Sequence, residues 1–405
     1  MKKFFLSLLL ALPLLGFAKS RITAPNVKSL QTVVNGNWLS APIILLGSDD
    51  VLTISFDELS HNYHRYIYQI EHCEADWTPS EGLFESDWLA GFNGNTIDDY
   101  EHSHNTIIAY THYQLQLPND RCQLKLSGNY RVHILDEDDD NREVLVAEFM
   151  VTEQQMKLSM SATSNTDIDT RQSHQQVSMR LDYGSLPVTN PEEQICAVVM
   201  QNAQERDMKW NVKANITTPN GLAWPHNRHL VFDAGNEYRK YEILDVSHPT
   251  MGIDHILWDG DNYQVFPFAD EPRPNYLYDE DANGAYCIRN SDNSENDTSS
   301  EYVWVNYRLK STVGQRIYIS GRWTMEQPDT YLMHYDPVEG IYTASVLQKQ
   351  GYYNYQYLCG DNKNQLLPSE GSYYQTENHY QALIYYKGSA DRTWRLTAFA
   401  DTPLE

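Results

Sequence analysis

The sequence predicts an all-β chain built of tandem β-sandwich domains, and three observations carry that expectation. Aromatic residues make up 12% of the chain and are dominated by 29 Tyr, a composition that favours pleated sheet over helix. Apolar residues recur at a period of two in Val51-Leu52-Thr53-Ile54-Ser55-Phe56 and in the runs 64–73, 110–117, 130–135, 144–151, 177–181, 196–200, 303–309 and 317–320, the pattern of strands with one buried face. Polar, turn-forming stretches separate these runs at the short intervals expected of sandwiches.

In chain order, the first element is a secretory signal. Lys2 and Lys3 supply a positive start, Phe4 to Leu15 is an apolar stretch broken only by Ser7 and Pro13, and Gly16-Phe17-Ala18 offers cleavage after Ala18. The apolar stretch is shorter than the roughly 20 residues a membrane helix needs, and no Cys follows the cleavage point to carry a lipid anchor. The expectation is an exported, soluble mature chain with no transmembrane segment.

The formal net charge is −25, and loss of Lys2 and Lys3 makes the mature chain more negative still. Such a surface repels the phosphates of nucleic acid, whereas it suits solubility or a basic protein partner. Cys73, Cys122, Cys196, Cys287 and Cys359 lie far apart without a C-x-x-C. The odd count leaves at least one thiol unpaired, and the spacing assigns no disulfide.

Two polar stretches suggest boundaries: Ser159 to Ser173, and Asn290 to Ser300, which contains no apolar residue. The expected organisation is a signal at 1–18, an N-terminal β-sandwich at 19–153, a middle β-rich domain at 154–295 and a C-terminal sandwich at 296–405.

Motifs for chemistry are sparse. Asp279-Glu280-Asp281-Ala282-Asn283-Gly284 opens like a calcium loop, with oxygens from Asp279, Asp281 and Asn283 and a Gly for the bend. However, Asn290 stands where such a loop needs a bidentate Glu, strand-like residues flank the motif, and a hairpin turn explains it equally well. His61 and His64, His72 with Cys73, and His102 with His104 form pairs without H-E-x-x-H or comparable spacing. The run Asp136 to Asn141 reads as a solvated hairpin tip. No G-x-S-x-G, P-loop or G-x-G-x-x-G occurs, so no catalytic, cofactor or metal residue is assigned and a non-enzymatic protein is expected. Trp77, Trp88, Trp224, Trp258 and Trp323 are candidates for stacking or interface contact, whereas Trp210 and Trp304 alternate with strand neighbours and are expected in the core. The segments 91–99 and 326–331 are candidate partner loops.

The last unit runs through Val303-Trp304-Val305-Asn306-Tyr307, Ile317 to Trp323 and Gly340 to Val346 into Lys349-Gln350-Gly351-Tyr352-Tyr353-Asn354-Tyr355-Gln356-Tyr357. A strand ending in Gly-x-Trp and followed by a Tyr-rich strand resembles immunoglobulin-like sandwiches of the early-set, carbohydrate-module type. Tyr353, Tyr355 and Tyr357 share one face. Ser369-Glu370-Gly371-Ser372 and the Tyr-rich Ala382-Leu383-Ile384-Tyr385-Tyr386 follow, and the two Tyr-rich segments are expected to form a hairpin.

That C-terminal block is joined by Ile70-Glu71-His72-Cys73-Glu74-Ala75-Asp76-Trp77, Ser103-His104-Asn105-Thr106, Ser127-Gly128-Asn129-Tyr130, His174-Gln175-Gln176-Val177 and Gly235-Asn236-Glu237-Tyr238-Arg239. Together they cover nearly the whole mature chain and resemble the plug proteins of the type IX secretion system. The resemblance implies a non-enzymatic periplasmic component, peripherally associated with the outer membrane. Its partner would be the translocon barrel, whose periplasmic opening it would close while no substrate is engaged. No residue roles come with it. The alternative is a secreted carbohydrate-binding module, which predicts a row of exposed planar aromatics.

Overall fold

The computed structural model describes residues 20–311, 314–361 and 365–404; the expected signal segment, Met1 to Ala18, lies outside them. Multiple antiparallel sheets pack in pairs as tandem β-sandwiches. No helix among the described residues is long and apolar enough to cross a membrane.

The alternation read from the sequence becomes burial. In Gly128–Asp136, Tyr130, Val132 and Ile134 point inward while Arg131 and His133 are only half-buried. This strand lies between Arg142–Thr152 and Tyr66–Cys73. A second sheet, built on Leu52–Glu58 and Thr111–Leu117, faces it, and Ile54, Phe56 and Tyr113 complete the first core.

The remaining chain is interleaved. Arg239–Ile243 pairs with Gly351–Cys359, and Tyr263–Pro267 lies parallel to Tyr302–Leu309, so one core joins Tyr241 and Ile253 to Val305, Tyr307, Tyr353 and Tyr355. The chain then returns: His379–Tyr386 pairs with Ile195–Gln201 on one side and Arg395–Pro403 on the other, and Tyr380, Ala382 and Ile384 enter a core with Val177, Trp224 and Phe232. The expected division at 295/296 therefore cuts through one sandwich. The second unit comprises roughly 156–233 with 379–404, and the third, 239–367, is inserted in it.

Asn290 to Ser300 is a buttress where a domain boundary was expected. The His104 main-chain N–H donates to Thr298 O and the Tyr110 hydroxyl to Ser300 O at 2.8 Å, while Lys349 Nζ donates to Asp297 O at 2.6 Å. A polar sequence can be tied down when neighbouring units supply its hydrogen-bond partners.

The expected Tyr-rich hairpin does not form, because the strands of Tyr353 and Tyr385 belong to different sheets. Tyr353, Tyr355 and Tyr357 do share a face: Tyr241 lies 5.6 Å from Tyr353 and 5.7 Å from Tyr355 between ring centroids. On the opposite face, Asn354 and Gln356 are also buried, since that face meets neighbouring structure instead of water. The Ala282 N–H donates to Asn354 Oδ1 at 2.5 Å, and Gln356 donates to the Tyr238 hydroxyl at 3.2 Å.

Candidate functional site at the junctions of the units

The sequence blocks singled out above converge on buried charge networks. Arg239, at the start of its strand, donates through Nη1 to Asp270 Oδ1 at 2.8 Å and through Nε to Glu370 Oε1 at 3.0 Å. Arg273 Nε donates to Glu370 Oε2 at 2.8 Å, and the Tyr355 and Tyr357 hydroxyls donate to Asp270 Oδ2 at 2.8 and 2.6 Å. Burial alone would lower the Arg239 pKa, but Asp270 and Glu370 outweigh it and hold it above the ordinary value. Burial raises Asp270 despite Arg239 and the two tyrosines. The arrangement fixes the first strand of the third unit to the Glu370 loop.

A second network joins the first and third units. Asp57 Oδ1 accepts from His112 Nδ1 at 2.6 Å, and its Oδ2 accepts from Lys349 Nζ at 2.6 Å and from the Tyr302 hydroxyl at 2.7 Å. Both side chains of the Asp57–Lys349 pair are 1% exposed. The Lys349 ammonium sits 4.1 Å from the Tyr110 ring centroid. Burial pulls the Lys349 pKa down. For Asp57, burial acts to raise the pKa, but the attraction of Lys349 and the hydrogen bond from His112 win and lower it. Three donors on one carboxylate satisfy the ionised form, as a buried charge requires.

The third feature is a cavity of about 900 Å³ where the three units meet, lined among others by Leu30 and Thr32 of the first, Met200 and Arg206 of the second, and Tyr286 and Arg322 of the third. Arg322 spans its rim, donating to Leu39 O at 2.8 Å and Ser40 O at 2.9 Å. Glu148, also on the wall, is raised to about 8 by burial and by the charge of Glu205, against the pull of Arg131.

The sequence-derived candidates disperse. Asp279 pairs with Lys240 at 2.6 Å. Asp281 accepts the N–H of Tyr238 and, at 2.6 Å, that of Asn283, and burial raises it to about 7. The two carboxylates serve a turn and an ion pair; the expected hairpin does not form, because 276–278 is not strand and Tyr286–Ile288 pairs with Gly351–Cys359. His72 is enclosed, with Nδ1 2.8 Å from Ser80 Oγ and Nε2 3.2 Å from Ser127 O. His61 and His102 lie 4.8 Å apart with their rings tilted at 57°, and His104 reaches Glu295 at 3.0 Å. A grouping hidden from sequence brings ligand atoms of His64, Asp136 and Asp138 within 4.8 Å. Asp136, expected at a solvated tip, is 7% exposed, because it ends the central strand of its sheet.

Among the aromatics, Trp88, Trp224 and Trp323 are buried, Trp77 is half-buried on the cavity wall, and Trp258 is 50% exposed beside Tyr263. Trp210 is 37% exposed and Trp304 only half-buried, contrary to their expected core positions. Trp304 lies on the outer side of a strand whose inner side holds Val303 and Val305. In the 326–331 loop, Glu326 pairs with Lys28 and Tyr331 is buried, whereas Phe92 in the 91–99 loop is exposed.

Comparison with known proteins supplies the family. No curated protein matches the chain. A hypothetical protein of known crystal structure from Parabacteroides merdae is 35% identical, with a TM-score of 0.91 over 95% of this chain and 99% of its own. The DNA-bound alkylpurine DNA glycosylase AlkC of Pseudomonas fluorescens is 13% identical over 31% of this chain and 30% of its own, and its TM-score of 0.16 carries no structural argument. The profile of the type 9 secretion system plug protein first domain matches residues 27–153, the first sandwich and its junction-forming Asp57, Tyr110 and His112. Over residues 27–153, therefore, the chain carries the first domain of the type IX secretion system plug proteins.

Proposed function

We propose that this protein, a plug-type component of type IX secretion, closes the periplasmic opening of the outer-membrane translocon while no substrate is engaged. The observation that carries the reading is the family match over the first sandwich, a family that suggests a periplasmic location. Plugging asks for a rigid body with a displaceable interface. The Asp57–Lys349 pair and the interleaved second and third units favour rigidity, and a strongly acidic surface suits reversible docking on a basic rim. The role requires no chemistry from the chain, so we read it as non-enzymatic.

The test is affinity purification of the tagged full chain from detergent-solubilised outer membranes, followed by conductance measurements on the isolated barrel. Co-recovery of a very large barrel protein, with conductance falling when the chain is added, is expected. Recovery of the chain alone, or conductance unchanged by it, would defeat the proposal. Raised salt should weaken the association; salt-insensitive binding removes the charge argument.

A further inference from the structure

The central cavity is bordered by strands that end their sheets. Among the described residues, Val27–Val34 pairs only with Leu52–Glu58 apart from a single bridge from Val34 to Asn37, and Gln204–Lys209 only with Ile195–Gln201. Residues 31–33 of the first and much of the second line the cavity. Among the described residues, no main-chain partner caps the outer edge at 31–33 or at 206–208. Thr32 Oγ1, on the same wall, is buried without a hydrogen-bond partner. Unpaired edges are templates for another strand, and proteins usually blunt them. Here they face a half-open cavity instead.

The walls add a second requirement. Trp38, Met200, Met208 and Met325 line the space, and soft thioether and aromatic side chains adapt to varied apolar partners. The volume of about 900 Å³ is that of a ligand site. A small apolar molecule would leave the strand edges unsatisfied, whereas an extended peptide meets both demands: main-chain groups for the edge and alternate side chains for the wall.

We propose that this cavity receives an extended segment of another protein, which adds as a strand to Gln204–Lys209 and places alternate apolar side chains against the Met and Trp wall. The Gln204–Lys209 strand has 6 residues, all half-buried, which sets the length of the segment. The acidic net charge of the chain, −25, favours Lys or Arg at the positions turned to solvent. The inference does not depend on which assembly supplies the segment.

The test uses the full chain and a fluorescein-labelled heptapeptide, Lys-Val-Thr-Val-Lys-Val-Thr, acetylated at its N terminus. Two controls accompany it: a scrambled sequence without alternation, and the same peptide N-methylated at alternate residues on its pairing edge, which removes main-chain donors and keeps the side chains. Fluorescence anisotropy should show saturable binding, weakened at least about tenfold by scrambling or by N-methylation, since each lost hydrogen bond leaves a strand-edge partner unsatisfied. Deuterium exchange should slow at 204–209 when the parent peptide is bound. Absence of saturable binding, equal binding of either control, or unchanged exchange at 204–209 would overturn the proposal.

Discussion

Replacing Lys349 by Met tests the claim that the first and third units are held by a buried charge pair. Met keeps most of the side-chain length and removes the ammonium. Asp57 then loses the Lys349 donor at 2.6 Å while 1% exposed, and Asp297 O loses its contact at 2.6 Å. Removing one partner of a buried pair costs about 3–5 kcal/mol. Asp57 keeps His112 Nδ1 and the Tyr302 hydroxyl, which places the loss toward the lower end, about 3 kcal/mol. Loss of the ammonium over Tyr110 adds to it by up to ~2 kcal/mol. The assay is urea denaturation at neutral pH, followed by Trp fluorescence and far-ultraviolet circular dichroism. Asp57→Asn combined with Lys349→Met removes both charges, so the double variant should lose less than the sum of the two single variants. A Lys349→Met protein within about 1 kcal/mol of the parent, or strict additivity in the double variant, would refute the reasoning.

Further outcomes follow from other sites. Glu148, raised to about 8, keeps a proton in the folded state that the unfolded chain releases near pH 4.5. Stability should therefore fall as pH rises from about 4.5 to about 8, by at most ~1.4 kcal/mol per pH unit, and Glu148→Gln should flatten that slope in urea midpoints. Glu370→Gln leaves Arg239 and Arg273 short of a charge and should cost ~3 kcal/mol by the same measurement, whereas Tyr355→Phe should cost about 1 kcal/mol. Trp224→Ala should cost ~3–5 kcal/mol, whereas Trp258→Ala should stay within about 0.5 kcal/mol. Because Asp279 and Asp281 are engaged by Lys240 and main-chain N–H groups, millimolar calcium should leave the melting temperature where a chelator leaves it.

The all-β class was legible because burial follows a local rule: alternation in Gly128–Asp136 or Tyr302–Leu309 reads directly as inside and outside. Alternation does not say which side of a strand is covered twice. That is why Trp304 was expected in the core, and why the buried outer face of Tyr353–Tyr357 was not anticipated. Strand partners were also hidden. Nothing near Ala382–Tyr386 signals that its neighbour is Ile195–Gln201, almost 200 residues earlier, so a hairpin with the nearer Tyr-rich segment looked sufficient. Of the candidate site, the sequence blocks marked Tyr238, Arg239, Glu370, Tyr355 and Tyr357, but their convergence on Asp270 depends on pairings far apart in the chain. Asp57 lacked a motif altogether, and His112 lay in a family-like block, Tyr110-Thr111-His112-Tyr113, that gave it no role; their partner Lys349 stands at the head of the Tyr-rich block, where only folding shows that it is charged and enclosed.

The return of the chain after the third unit bears on how the protein can be made. Ile195–Gln201 waits for His379–Tyr386, so during synthesis the second unit stays unfinished until residue 386 has emerged. Early termination between residues 367 and 379 would spare the strands of the third unit and leave the second with a bare apolar edge, a surface prone to sticking to other chains. Pulling on the C terminus would likewise detach Arg395–Pro403 and then His379–Tyr386 first, opening the second sandwich while the inserted one stays shut. Residues 379–403 thus act as a closing clasp for a unit that begins more than 200 residues upstream.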